Sequence, residues 1–357
     1  MHSTTYTVLG VMSGTSLDGI DLAYVRFKKE EQWHFELLTC ETVAYPKSWV
    51  ERLQDAVDLS AEDLKTLDID YTAYLAKTIN VFRERNPLKI DAIASHGHTL
   101  LHRPDEGVTY QIGNRPELAK LCTALVICDF RVEDVAMGGQ GAPLVPIGDR
   151  LLFRDFTACL NIGGFANISF EQIGARIAYD ICPTNIVLNQ LTRQLGFAYD
   201  KDGAIAASGT VDDALLDQLN DLAFYKAPFP KSLGLEWVKR EIFPILSQSD
   251  LDIESKIATF TEHIAVQLAV TINRLKSDSE DNRVLITGGG AYNKHLIKRT
   301  RHWSQIELKI PDAKTIEFKE ALIFAFMGVL RLRNSINVLN SVTGASKNHC
   351  AGMLYSP

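Results

Sequence analysis

Several signals that would tie a chain to a compartment or partner are missing here. None of the six cysteines is spaced Cys-x-x-Cys; Cys40, Cys122, Cys128, Cys159, Cys182 and Cys350 sit mostly in apolar runs. This pattern favours buried free thiols over a disulfide framework or a zinc site. No apolar stretch reaches the ~18–20 residues of a membrane helix, and no basic segment followed by an apolar core opens the chain. Positive charge is not in excess: 37 Lys and Arg face 44 Asp and Glu, a net charge of −7. That balance argues against a general nucleic-acid or anionic-membrane partner, and a reducing cytoplasm is the expected compartment. Gly-x-x-x-x-Gly-Lys-Ser/Thr and a strand-borne Gly-x-Gly-x-x-Gly are both absent, which disfavours a P-loop or a dinucleotide-type domain.

What remains is an ordinary globular composition, 46% hydrophobic and 23% charged over 357 residues. That length favours two domains, because a single core rarely grows past roughly 250–300 residues. Strand-like runs at 6–11, 20–27 and 35–43 read as an antiparallel meander. Helices are expected from near Pro46 and after Ser60, where Ser60-Ala61-Glu62-Asp63 resembles a capping box. The second has apolar residues at Leu64, Leu67, Tyr71, Leu75 and Ile79 and ends near Arg85. Short buried strands are expected at 90–95 and 125–129. The strand–glycine turn–strand pattern restarts at 158–170, followed by a strand at 176–181, a helix at 184–195, a long helix at 253–275 and a strand at 284–287. This is a weak internal repeat without visible identity. The boundary is expected near 129–141, giving domains of 1–130 plus about 335–357, and 131–334.

The chemistry concentrates in a few places. Met12-Ser13-Gly14-Thr15-Ser16-Leu17-Asp18-Gly19-Ile20-Asp21 joins two apolar runs. Small residues there leave backbone N–H groups open to an anion, and two carboxylates beside such a cradle make sense with a divalent cation between. An ordinary hairpin turn is the alternative. Gly163-Gly164 and Gly288-Gly289-Gly290 also follow apolar strands, which suggests two facing phosphate hairpins and a third turn against an adenosine. Asp180, at a strand's end before Cys182-Pro183, is a natural general base or else a helix cap. His96-Gly97-His98-Thr99 reads as a polar loop facing substrate or as a metal pair, since i, i+2 spacing puts two side chains on one strand face. Arg131 suits a ligand carboxylate, or a salt bridge to Glu133 or Asp134. The glycine-rich stretch 138–146 is a hinge or a loop close to ligand, and 199–203 is a polar turn. Glu320 stands at the N-terminal end of an apolar run, 321–330, where the helix dipole would favour it.

Together these stretches resemble the anhydro-N-acetylmuramic acid kinase family of the acetate kinase–sugar kinase–actin superfamily. The likeness runs almost end to end, through 12–21, 95–99, 111–113, 129–131, 134–136, 138–146, 161–169, Asp180 with Pro183 and Asn185, 199–209, 230–232, 288–293, Glu320-Ala321 and 341–346. The opening loop and Gly-Gln-Gly-Ala-Pro-Leu-Val-Pro are specific to the family. The resemblance implies two actin-like (ribonuclease H-like) α/β domains, mixed sheets flanked by helices, with ATP in an interdomain cleft. It implies that water opens the 1,6-anhydro ring at C1 while O6 takes the γ-phosphoryl group, giving N-acetylmuramic acid 6-phosphate and ADP in peptidoglycan recycling. It further implies Asp180 as the base, supported by Glu320. ATP and Mg²⁺ would be held by Gly14, Thr15, Ser16, Leu17, Asp18, Gly19, Ile20 and Asp21, with Asp18 and Asp21 toward the metal, directly or through water. Asn161, Gly163, Gly164, Gly288, Gly289 and Gly290 would complete the nucleotide site. His96, Gly97, His98, Thr99 and Arg131 would face the sugar, Arg131 its lactyl carboxylate. A homodimer is a family expectation. His98 stands where the family usually has glutamine, and Ile181-Cys182-Pro183-Thr184-Asn185 replaces Thr-Gly-Pro-Gly-Asn. A same-fold kinase for another sugar, a nucleotide-switched sugar-binding module and an ATP-independent hydrolase are the competing readings.

Overall fold

The computed structural model describes residues 4–14, 16–275 and 282–357. The chain falls into two compact units, Met1–Leu152 with Phe318–Pro357, and Phe153–Glu317.

In the first unit the expected meander forms from β1 (Thr5–Ser13), β2 (Gly19–Lys29) and β3 (Trp33–Ala44), all antiparallel. On the other side of β1 lies β4 (Ala92–Arg103), parallel to it and hairpinned to β5 (Val108–Ile112). Parallel to β4 in turn lies β6 (Val126–Cys128). The strand Met353–Tyr355 closes the edge beyond β6. β4 runs well past the expected 90–95 because β5 supplies partners for its second half.

Alternation along β1 decides what covers each face. Leu9 and Val11 join a core with Leu67, Tyr71, Leu75, Ile79 and Phe82 of the helix Ala61–Arg85. That helix starts at the expected cap: Ser60 Oγ accepts from Asp63 N–H at 3.2 Å and donates to Asp63 Oδ2 at 2.6 Å. Gly10 points to the other face, where a Cβ would stand 2.0 Å from the Ala321 carbonyl oxygen. The helix Ala313–Leu332 thus lies directly on β1, and Gly328 admits Ala94 in the same way.

This packing moves the division from where the sequence suggested. Residues 318–334 belong with the first unit because they lie on its sheet. Residues 131–152 do too: Asp134, fully buried, accepts from Gly141 N–H and Thr343 Oγ1, both at 2.7 Å. A Cβ on Gly148 would meet Ile323 at 2.5 Å.

The second unit repeats the plan. β7 (Ala158–Ile162), β8 (Phe165–Gln172) and β9 (Ala175–Pro183) are antiparallel, while β10 (Arg283–Thr287) and then β11 (Glu307–Lys309) run parallel on the far side of β7. Read from the third strand inward, the first unit runs β3, β2, β1, β4, β6, with β5 added as a hairpin on β4, and the second runs β9, β8, β7, β10, β11. Setting that hairpin strand aside, both follow the ribonuclease H-like order of actin-type domains. The weak sequence repeat is a repeat of topology. The helix Ile253–Asn273, capped by Asp252 accepting from Ser255 N–H at 2.7 Å, buries Ile257, Phe260, Ile264 and Leu268 against Leu160 and Ile286. Each such side chain is worth roughly 1.5–3 kcal/mol. Among the described residues, no helix is long and apolar enough to cross a membrane.

Candidate active site

In the first unit the turn after β1 is short and polar. Leu17 N–H bonds the Gly14 carbonyl at 3.3 Å, and Leu17 sits at φ +60°, a left-handed backbone that costs a side-chain-bearing residue roughly 1–2 kcal/mol. Its packing against the core offsets that cost. Ser16 Oγ donates to Asp18 Oδ1 at 2.8 Å, and Thr42 Oγ1 to Asp21 Oδ1 at 2.6 Å. The residues divide by role. Among the described residues a Cβ on Gly14 would meet only Ser16, whereas one on Gly19 would meet the Val43 carbonyl oxygen at 2.6 Å. Gly19 is therefore a packing glycine, and Ile20 lies in the core. Thr15 lies outside the described residues.

Glu320 belongs to the same neighbourhood. It keeps solvent access, yet desolvation by surrounding protein raises its carboxyl pKa; Arg131 opposes the rise, and Asp21 and Asp18 add to it. Because its helix begins at Ala313, Glu320 lies beyond the first turn, and the dipole stabilisation expected of an N-terminal position does not apply.

The two histidines of β4 do not share a face. The β1–β4 register jumps from Val11↔Ser95 to Ser13↔His98, with Gly97 at φ +74°. This bulge inserts one residue and breaks the alternation. The His96 ring packs 4.7 Å from Phe324, on the helix covering one face. His98 packs 6.0 Å from Tyr71, on the helix covering the other. A chelating pair is thereby excluded, and among the described residues no group of three or more His, Cys, Asp or Glu is arranged to hold a metal. The stretch is strand, not the loop expected; Thr99 pairs with Gln111 of β5.

His96 instead orients Arg131. Arg131 Nε donates to His96 Nε2 at 2.8 Å, and Nη1 donates to the Gly141 carbonyl at 2.6 Å. Burial pushes the Arg131 pKa down to about 10, with Glu320 and Asp134 opposing. Burial, then the Arg131 charge, hold His96 well below its usual pKa. Among the described residues Arg131 forms no ion pair with Glu133 or Asp134.

In the second unit Asp180 lies in β9 beside a register shift between Ala166 and Asn167 of β8. It does not cap the following helix, which begins at Asn185 after Thr184. Its N–H donates to the Lys231 carbonyl at 3.1 Å, and Oδ2 accepts from Leu233 N–H at 2.8 Å. Oδ1 has no hydrogen bond among the described residues. Burial raises the Asp180 pKa, and the Leu233 N–H opposes. Lys231 is pinned in turn, Nζ donating to the Phe224 carbonyl at 2.9 Å.

Strand register puts Thr287, Asn161, Asn167 and Asp180 in one row across β10, β7, β8 and β9. Asn167 is a member the sequence reading did not single out; its place in the row follows from the β7–β8 and β8–β9 registers. Above the row's β7–β10 end the glycine turns converge. A Cβ on Gly288 (φ +81°) would meet Asn161 Oδ1 at 2.6 Å, and one on Gly290 would meet Ile162 Cγ2 at 2.2 Å, so both serve close packing. A Cβ on Gly163, Gly164 or Gly289 would meet nothing nearer than 3.5, 3.9 and 3.9 Å among the described residues, leaving space on that side of the backbone. Ligands of open α/β sheets gather at the carboxyl ends of parallel strands, where this turn cluster sits.

The first unit thus carries an oriented, half-buried guanidinium and a turn with carboxylates, and the second a carboxylate of raised pKa and open glycine turns; each is a kind of group that phosphoryl transfer with an activated water uses. The sequence comparisons agree with this chemistry. Residues 6–357 match the profile of the family described as anhydro-N-acetylmuramic acid kinase. The enzyme of that name from Pseudomonas syringae pv. syringae (strain B728a) is 34% identical over 372 residues, covering 97% of this chain and 98% of the relative. That from Haemophilus influenzae (strain ATCC 51907 / DSM 11121 / KW20 / Rd) is 34% identical over 377 residues, covering 97% of each. A third, from Xanthomonas oryzae pv. oryzae (strain MAFF 311018), is 34% identical over 376 residues, covering 99% and 98%. With near-complete coverage from both sides, the chain belongs to the anhydro-N-acetylmuramic acid kinase family.

Proposed function

We propose that this protein converts 1,6-anhydro-N-acetylmuramic acid, water and ATP to N-acetylmuramic acid 6-phosphate and ADP, a step of cell-wall recycling. The observation that carries the reading is Asp180: one carboxylate oxygen is fixed by the Leu233 N–H and the other is free, with the pKa raised by burial. A raised pKa makes a carboxylate a stronger proton acceptor. Asp180 Oδ1 takes a proton from water as the water oxygen bonds to C1. The C1–O6 bond breaks, and O6 bonds to the γ-phosphorus as the bond to ADP breaks. The proton leaves Asp180 for solvent after turnover.

Around that step the first unit supplies charge. Asp18 and Asp21 would hold Mg²⁺, which needs only one or two carboxylates when phosphates and waters complete its shell. That demand fits a turn with two carboxylates and an open Gly14. Bound there, the metal would neutralise phosphate charge. Glu320 supports the sugar side, and Arg131, oriented by His96 and Gly141, receives the lactyl carboxylate. His98 and Thr99 line the sugar pocket. In the second unit the open backbone at Gly163, Gly164 and Gly289 receives the nucleotide, over a floor packed by Gly288 and Gly290. Six free cysteines and a need for ATP suit the cytoplasm, and a homodimer follows from family resemblance, to be checked by sedimentation.

The test is a coupled ADP-release assay with Mg·ATP and the anhydrosugar, beside N-acetylmuramic acid and plain hexoses. Release with the anhydrosugar alone, and the 6-phosphate as product, is the expected result. Release with a different sugar would move the reading to a same-fold kinase of other specificity, which the changes at His98 and Ile181-Cys182 would then explain.

A further inference from the structure

Hydrogen-bond chemistry fixes the protons of the two β4 histidines in opposite ways. For His96 the partners leave no choice. Its Nδ1 faces the Gly97 carbonyl at 2.9 Å, which can only accept, and its Nε2 faces the Arg131 guanidinium, which can only donate. His96 is therefore the neutral Nδ1–H tautomer.

His98 ends a chain of hydroxyls: Tyr71 to Tyr45 at 2.5 Å, Tyr45 to Ser13 Oγ at 2.6 Å, and Ser13 Oγ to His98 Nδ1 at 2.8 Å. Three hydroxyl protons serve three bonds only if all run toward an unprotonated Nδ1. Were Nδ1 protonated, the chain would reverse. The Tyr71 proton, in a fully buried side chain, would then have only Ser13 Oγ to turn to, the oxygen already receiving the Nδ1 proton. Giving up a well-made buried hydrogen bond costs about 0.5–1.5 kcal/mol, enough to bias tautomers of similar intrinsic energy. Burial also holds the His98 pKa down to about 4, so the doubly protonated ring is absent at neutral pH. The proton then resides on Nε2. Among the described residues that nitrogen makes no hydrogen bond, yet it is not sealed in: His349 Nε2 is a buried atom without a hydrogen-bond partner, whereas His98 Nε2 is not among such atoms.

We propose that the chain Tyr71–Tyr45–Ser13 locks His98 as the Nε2–H tautomer, a fixed hydrogen-bond donor to a ligand oxygen beside the turn after β1. Ser13 and Tyr45 are positioning residues; His98 makes the contact. The ligand part rests on the functional reading above, and the oxygen belongs either to the sugar or to a nucleotide phosphate. The tautomer part does not depend on that reading.

The first test is ¹⁵N NMR of histidine-labelled whole protein without ligand. The expected spectrum has His98 protonated at Nε2 and His96 at Nδ1, with His98 not titrating between pH 8 and 5. A His98 proton on Nδ1 overturns the lock. Tyr45→Phe frees Ser13 to donate or accept, so a measurable Nδ1–H fraction should appear at His98; an unchanged tautomer there also overturns it. The second test is steady-state kinetics of His98→Ala and His98→Gln. Losing one neutral donor should cost roughly 3–10-fold in KM, and glutamine, which keeps an N–H, should recover most of it. A rise in the KM of the anhydrosugar alone assigns the oxygen to the sugar, and a rise in that of ATP alone assigns it to phosphate. Unchanged values for both overturn the ligand contact, even with the tautomer as expected.

Discussion

The turn after β1 and the turn after β7 stand at the same point of the same strand order, but their composition differs. The first spans residues 14–18, carries a left-handed Leu17, and is tied to carboxylates at Asp18 and, through Thr42, near Asp21. The second is only Gly163-Gly164, closed by Gly163 N–H bonding the Phe165 carbonyl at 3.1 Å, and has no charge. The carboxylate of the second unit lies two strands away, on β9. One topology thus offers a ligand a charged turn in one unit and a bare backbone turn in the other. The difference suits metal-bound phosphate on one side and proton abstraction on the other.

The sharpest way to break that division of labour is Asp180→Asn. The amide keeps the Leu233 contact geometry but cannot take a proton, so turnover should fall by roughly 10²–10⁴-fold. ATP binding, measured by calorimetry, should be retained. Near-normal turnover would move the base elsewhere. Its counterpart, Asp18→Ala, should weaken Mg·ATP binding while leaving ATP binding without metal nearly unchanged; equal affinities in both conditions would take the metal away from this turn.

A pair of glycine substitutions sharpens the comparison in terms of stability. Gly10→Ala puts a methyl 2.0 Å from a backbone oxygen of the helix on β1. Backbone cannot swing aside as a side-chain tip can, so the expected loss is about 3 kcal/mol in urea denaturation. Gly164→Ala meets nothing closer than Ile186 Cβ at 3.9 Å. It should change stability by less than about 0.5 kcal/mol yet weaken nucleotide binding if a phosphate lies against that backbone. Unchanged nucleotide affinity in Gly164→Ala would mean that the space beside Gly164 has no ligand to receive.

Much of this was legible in the chain because the signals are local. The meander, the Ser60 cap, the apolar stripe from Leu67 to Ile79 and the strand–glycine turn–strand repeat all lie within a few residues of their cause. What the sequence hid depends on distant partners. The bulge at Gly97 exists only in the register of β4 against β1, so i, i+2 spacing misled for His96 and His98. The unit boundary was misplaced because Asp134 bonds Thr343, a partner far along the chain, and because the segment after Phe318 returns to the first sheet. Asn167 became visible only once the strands put it in a row with Asn161 and Asp180. Glu320 and Arg131 were singled out separately; only the fold brings them into one field.

The smallest expected effect is a displacement of the pH profile, and it tests the two units together. A base works only when deprotonated. Burial raises the Asp180 pKa, so kcat/KM should be full above that raised value and be lost as pH falls through it, at a pH above the ordinary aspartate range. Neither β4 histidine supplies this limb: His98 stays neutral down to about 4 and His96 is held well below its usual value. Arg131 keeps its positive charge throughout this range, since a guanidinium does not lose its proton in a protein. Replacing the lactyl carboxylate by its amide should therefore raise the KM of the sugar at every pH and leave the acid limb in place. If the amide leaves KM unchanged, the guanidinium does not meet that carboxylate; if the acid limb sits at the ordinary aspartate value, Asp180 is hydrated rather than buried in the working enzyme.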